Sequence, residues 1–171
     1  MTDIPLIITE RLILRPFTLL DLDDFALICA DPEVMRFIGN GKAVEKEVTQ
    51  GVLAWIIAQY EELGFGLLAV TLKENNKFLG FCGLIKQTID NETHIELGYR
   101  LDSAFWGKGI ATEAAQAIKE YAFNQLNIPH LISIIHVENM ASKQVAKKVG
   151  LSYMKQTNFK GVLVDVFYIK N

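Results

Sequence analysis

The strongest constraint on the fold is a change of period in the middle of the chain. Residues 93–101 alternate Thr93, Ile95, Leu97 against His94, Glu96, Gly98 and read as a strand ending at Leu101. Phe105-Trp106-Gly107-Lys108-Gly109 then turns the chain. From Ile110 to about Leu126 the apolar positions Ile110, Ala114, Ala117, Ile118, Tyr121 and Ala122 fall on one helical face. Pro129 marks a loop, and Leu131 to Val137 is the β-branched run of a buried strand. A strand, a tight glycine turn, an amphipathic helix and a second strand place the chain in the α/β or α+β class.

The flanking segments agree. Arg11 to Phe17 reads as a strand, with Pro16 suggesting an exposed or edge position. Asp21 caps a short helix burying Leu22, Phe25, Ala26 and Cys29, which Asp31-Pro32 ends. A helix from Gln50 to Leu63 closes at Gly64, and strands at 66–73 and 77–87 flank Glu74-Asn75-Asn76. Beyond Val137, Asn139 caps a helix through Val149, stopped by Gly150, and a hairpin runs 152–159 and 162–170 around Lys160-Gly161. There is no repeat or linker, so residues 1–171 read as one domain.

Composition excludes several classes. With 50% hydrophobic and 22% charged residues the chain is neither disordered, coiled-coil nor collagen-like. A net charge of −3 argues against nucleic-acid binding, which normally shows a strongly basic face. Residues 1–100 carry 9 Lys+Arg against 15 Asp+Glu, and residues 101–171 carry 8 against 5. The basic part suits a polyanion and the acidic part a cation, unless both are solvated surface. Asp21, Asp23, Asp24, Asp31 and Glu33 are the acids that would draw a basic peptide or a polyamine. Cys29 and Cys82 lie far apart in apolar contexts and read as buried free thiols, which fits a reducing compartment. With no signal peptide and no apolar span of membrane length, the expected location is the cytoplasm, without membrane partners. His130 and His136 have no carboxylate or cysteine at ligand spacing, so no metal is expected; Trp55, Tyr60 and Phe65 read as core or rim. The C-terminal hairpin offers an edge that pairs in a homodimer or stays solvated in a monomer.

The glycine turn carries the chemistry. Gly107 and Gly109 permit a tight bend, and Ala111 leaves the helix start uncrowded, so free N–H groups and the helix dipole form an anion site to which Lys108 adds charge. The plain alternative is a turn without a ligand. A P-loop is excluded because Gly109 follows Lys108. Gly64-Phe65-Gly66-Leu67-Leu68-Ala69 matches a dinucleotide string but runs helix to strand, the wrong order.

The stretch Trp106-Gly107-Lys108-Gly109-Ile110-Ala111 resembles the acyl-CoA-binding turn of the GNAT acetyltransferase superfamily, Q/R-x-x-G-x-G/A. Gly109 and Ala111 fill the last two places; Trp106 stands where Gln or Arg is usual, a departure typical of the RimJ/RimL-like branch that acetylates ribosomal-protein N-termini. Thr9-Glu10-Arg11-Leu12-Ile13-Leu14-Arg15-Pro16, Ile95-Glu96-Leu97-Gly98-Tyr99, Asn139-Met140-Ala141-Ser142 and Lys148-Val149-Gly150-Leu151 follow in the family's order.

The resemblance implies a twisted, mostly antiparallel sheet of about six or seven strands, with acetyl-CoA wedged between parallel strands before and after the 110–126 helix. Trp106, Gly107, Lys108, Gly109, Ile110, Ala111 and Thr112 would hold its diphosphate, with Lys143, Lys147 and Lys148 near the phosphate end or simply solvated. Tyr99, Arg100 and Leu101 would pair with the pantetheine arm by their backbone, and the Leu101 amide would hold the oxyanion. Glu96 is the base, or else a solvated strand carboxylate; His94 reads as surface. The family's usual tyrosine acid is replaced by Ala146, which leaves Ser142 one turn earlier as acid, or as an ordinary helix serine. Asn139 caps the helix and contacts the pantetheine arm. The implied reaction is acetyl transfer to a primary amine, with a protein N-terminal α-amine leading; a small amine such as a polyamine, and an inactive CoA-binding module, are the alternatives.

Overall fold

The computed structural model describes residues 4–171. Among these, eight strands form one sheet and five α-helices cover it. The strands are β1 Ile7–Ile8, β2 Leu12–Arg15, β3 Leu67–Leu72, β4 Phe78–Ile89, β5 Glu92–Leu101, β6 His130–His136, β7 Ser152–Phe159 and β8 Val162–Lys170. The helices are α1 Leu22–Cys29, α2 Pro32–Met35, α3 Lys46–Leu63, α4 Ile110–Asn124 and α5 Met140–Val149. The sheet order is β1-β2-β3-β4-β5-β6-β8-β7, antiparallel throughout except that β5 and β6 run parallel.

That exception follows from the period change: α4 carries the chain back along the sheet, so β6 enters beside β5 in the same direction. α4 buries Ile110, Ala114, Ala115, Ile118, Tyr121 and Ala122. α5 lies beside it, on the face toward which Tyr99 points; Arg100, the next residue, reaches Cys29 of α1 on the other face. α1 anchors that second face through Phe25, which packs edge-on against Phe81 with ring centroids 5.9 Å apart.

Five expectations need correction. The strand count is eight, not six or seven. Pro16 does not mark an edge, because β2 lies between β1 and β3 and Pro16 falls just beyond its end. Asp21 stands at the start of α1, but its carboxylate makes no cap bond to the helix. It accepts 2.7 and 2.9 Å hydrogen bonds from Arg15 and one from the Thr18 amide. Asp31 begins α2, accepting from the Glu33 amide, as well as following α1. α3 also starts at Lys46, one polar turn before its apolar spacing becomes visible.

Gly80 holds the closest approach between β4 and β5. Its φ is +131°, and a Cβ there would stand 2.1 Å from the Arg100 carbonyl oxygen. Gly80→Ala is expected to cost about 2 kcal/mol, lowering the melting temperature of a chain this size by roughly 4–8 °C. Calorimetry checks this, and an unchanged melting temperature would contradict it.

Candidate active site

The site begins where β5 and β6 part. Their pairing is confined to Glu96 opposite Ile132, and Ser133 Oγ closes the junction by donating to the Leu97 carbonyl at 2.8 Å. Past it, β5 continues without a neighbour on that side. The Asp102 amide donates to the Leu79 carbonyl, so even-numbered residues of β5 turn their backbone polar groups toward β4, and Tyr99 and Leu101 turn theirs into the opening. Trp106 Nε1 takes the Leu101 carbonyl at 2.9 Å. What faces the opening is therefore the N–H and C=O of Tyr99 and the N–H of Leu101. The Arg100 backbone is spent on β4 opposite Phe81, which corrects its place among the arm-pairing residues.

The turn sits at the end of this edge. Gly107 and Gly109 have φ of +72° and +77°, the left-handed region that glycine enters without strain. Gly109 provides no side-chain cap for α4, so the amides of Ile110, Ala111 and Thr112 point out of the helix without intrahelical partners. Such an end, in a dipole-favoured position, suits a diphosphate. Lys108 folds back, donating to the Ala104 carbonyl at 3.0 Å with its ammonium 4.9 Å over the Phe105 ring. Trp106 is 46% exposed, so it pins the turn rather than packing in the core.

A clamp outside the motif fixes this turn. Arg11 Nε donates to Glu113 Oε2 at 2.7 Å and Arg11 Nη1 to the Lys108 carbonyl at 2.8 Å. Glu113 Oε1 accepts from the Arg11 amide at 2.9 Å and from Thr9 Oγ1 at 2.6 Å. Burial alone would raise the Glu113 pKa, but the Thr9 and Arg11 bonds hold it below its ordinary value.

Beside the opening, Asn139 Oδ1 accepts the Ser142 amide at 3.1 Å. The Tyr99 hydroxyl lies 2.9 Å from both the carbonyl and Oγ of Ser142. Burial pushes the Tyr99 phenol far above its usual range, so it is a neutral donor. Ala146 is buried. Lys143 is not available to a phosphate: it pairs with Asp165 at 2.6 Å and donates to the Val137 carbonyl. Lys147 and Lys148 remain exposed.

Glu96 lies on the opposite face from Tyr99 and is partly buried. Burial pushes its pKa up to about 7, opposed by a 3.0 Å bond from Gln87 Nε2, by the Ile134 amide and by the charge of Lys160. A carboxyl poised there takes a proton at neutral pH. His94 is not a surface residue: its side chain is 11% exposed, and its Nδ1 lies 3.2 Å from His130 Nε2. Tyr60 is core, donating to the Leu67 carbonyl and accepting the Phe17 amide. Cys29 and Cys82 are buried and free. Among the described residues no helix is long and apolar enough to cross a membrane, and no three His, Cys, Asp or Glu residues converge as for a metal.

Residues 11–152 match the acetyltransferase (GNAT) domain model. The uncharacterised protein YkkB of Bacillus subtilis is 34% identical over 152 residues, covering 87% of this chain and 86% of its own. The crystal structure of an acetyltransferase from Agrobacterium tumefaciens superposes with a TM-score of 0.85 at 29% identity, over 99% of this chain and 96% of that one. RimL, the ribosomal L7/L12 α-N-protein acetyltransferase, solved with coenzyme A, superposes at 0.79 with 17% identity, over 97% of this chain and 98% of its own, a likeness of fold.

Proposed function

The chain belongs to the GNAT acetyltransferase family, and on that premise we propose that its acceptor is the α-amine at a protein N-terminus. The protein is an acetyl-CoA-dependent N-acetyltransferase, and the residues that face the opening fit that donor: an unpaired strand edge for an amide-bearing arm and unspent amides for a diphosphate. The donor supplies a thioester acetyl group whose C–S bond breaks as the C–N bond forms.

The observation that carries the choice of acceptor is Glu96 at the junction where β5 and β6 separate, with its pKa near 7. An α-amine has a pKa of about 8, whereas a lysine or polyamine nitrogen lies near 10.4. At neutral pH roughly a tenth of an α-amine is already neutral, and a base of this strength can remove the proton released on attack. The Leu101 amide is assigned to the developing oxyanion. Ser142, joined to the Tyr99 hydroxyl, is assigned to return a proton to the departing sulfur. Asn139 holds Ser142 in place and faces the arm. The fold shared with RimL, and Trp106 at the start of the turn, support placing the chain in the RimJ/RimL-like branch.

The test is thiol release from acetyl-CoA with peptides that have a free N-terminus and an internal lysine, followed by mass mapping. Acetyl on the α-amine is the expected result. Acetyl on the lysine, or no transfer to a peptide with a free α-amine, would overturn this acceptor.

A further inference from the structure

We infer that the acceptor carries a carboxylate close to its amine and that Arg100 binds this carboxylate. The inference rests on the acceptor amine being delivered to the Glu96 side of the opening.

Alternation along β5 puts His94, Glu96, Gly98 and Arg100 on one face. α1 and α2 roof that face: Arg100 touches Cys29 at the end of α1, and Phe37, just after α2, meets His136 at the end of β6 with ring centroids 5.1 Å apart. Beneath this roof Arg100 is poorly satisfied. Its Nε is shut from solvent with no acceptor. Nη1 lies 3.3 Å from Cys29 Sγ, a weak acceptor, and the guanidinium carbon lies 5.2 Å from the Phe81 ring centre. Among the described residues no carboxylate is within ion-pair distance of it. A permanently charged, planar group with five donors, left on a thiol and a ring, is built for a carboxylate that the chain does not supply.

The other charges point the same way. Arg36 adds a second guanidinium at the roof, 5.0 Å over Phe37. The acids expected to draw a basic acceptor are partly engaged elsewhere: Asp21 with Arg15, Asp23 with Lys46, and Asp31 with Ser103 Oγ at 2.7 Å. A diamine placed beside Glu96 would bring its second cation toward an unneutralised guanidinium.

Spacing limits the ligand. Glu96 and Arg100 have Cα atoms about 13 Å apart along the strand, and only Gly98 stands between them on that face. A Cβ at Gly98 would stand 3.1 Å from Ile85 Cδ1 and 3.9 Å from Glu96 Oε1, so a side chain there would crowd both, and glycine keeps the strand surface between the two charged groups low. Amine and carboxylate must therefore lie within a residue or two of each other. An acidic side chain in the first two residues of a peptide meets this, and so does a free amino acid.

The experiment compares kcat/KM for peptides identical except for Glu, Gln or Lys at the second position, together with glutamate and a diamine of similar length. The expected result is a preference of about tenfold for the acidic peptide over its Gln counterpart, the size of one charge-assisted hydrogen bond. Arg100→Gln should bring that ratio close to one, and Arg100→Lys should restore part of it. Because the readout is a ratio within one protein, a general loss of activity does not mimic it. Equal use of the three peptides, or preference for Lys, would overturn the inference and leave the α-amine reading standing. Transfer confined to glutamate, with the same Arg100 dependence, would support the carboxylate and overturn the peptide. Transfer to the diamine alone, or to none of the acceptors, would overturn both.

Discussion

Glu96→Gln is expected to lower kcat by roughly 10²–10⁴-fold, the usual contribution of a positioned general base. Glutamine keeps the shape and the contact with Gln87 but cannot take a proton. The pH profile gives the sharper test. The parent needs the carboxylate, so kcat/KM should rise with pH through about 7 and fall away below it as Glu96 is protonated. The variant should lose that limb and keep only the titration of the acceptor amine. Stability should move the other way. A carboxyl whose folded pKa is raised above its unfolded value contributes stability below the unfolded pKa, and that contribution is lost as pH rises through the folded one. Glu96→Gln should therefore melt higher than the parent at pH 8 and about level with it at pH 4. Lost activity with gained stability separates a catalytic defect from a folding one. Activity within about threefold of the parent, with the limb near pH 7 intact, would remove Glu96 from the mechanism.

What the sequence made legible follows the range of the interactions. β5, the turn, α4 and β6 are written in local periodicity, and the parallel pair follows from their order. The two-residue strand β1 is not: it exists only because Ile7 and Ile8 find Leu14 and Ile13. The polar first turn of α3 shows no apolar spacing and hides in the same way. In the site, Gly107, Gly109 and Asn139 are legible because each has a local backbone reason. For Tyr99 the sequence implies only a backbone role; its hydroxyl meets Ser142 across 43 positions. The sequence leaves Lys143 open between a phosphate contact and a solvated face, because Asp165, its partner, lies on another strand. His94 and His130 likewise meet only after β5 and β6 are paired. Charged side chains carry no periodicity that names a distant partner, and these pairings needed coordinates.

The clamp of Thr9, Arg11 and Glu113 is the furthest-reaching case, with about a hundred residues between its halves. Its consequence is that Glu113→Ala should raise the KM for acetyl-CoA by about a hundredfold, since losing a bond to a charged group costs roughly 1.5–3 kcal/mol and each 1.4 kcal/mol is tenfold. The carboxylate touches neither the opening nor Glu96. It holds Arg11, and Arg11 in turn holds the Lys108 carbonyl inside the turn. The kcat at saturating donor should accordingly stay within about threefold of the parent, because the interaction lost is equally present in ground and transition states. Arg11→Ala should act alike, and the double variant should be little worse than either single one, as expected for residues that work as a unit. Arg11→Lys should not rescue, because one ammonium cannot span the carboxylate and the carbonyl as the guanidinium fork does. A truncated donor distinguishes positioning from general damage. Acetyl-pantetheine has the thioester and arm but no diphosphate, so the turn does not bind it, and the variants should use it as well as the parent does. If they lose acetyl-pantetheine activity in the same proportion, the clamp supports the whole fold rather than the turn; if the KM for acetyl-CoA is unchanged, the diphosphate is held elsewhere.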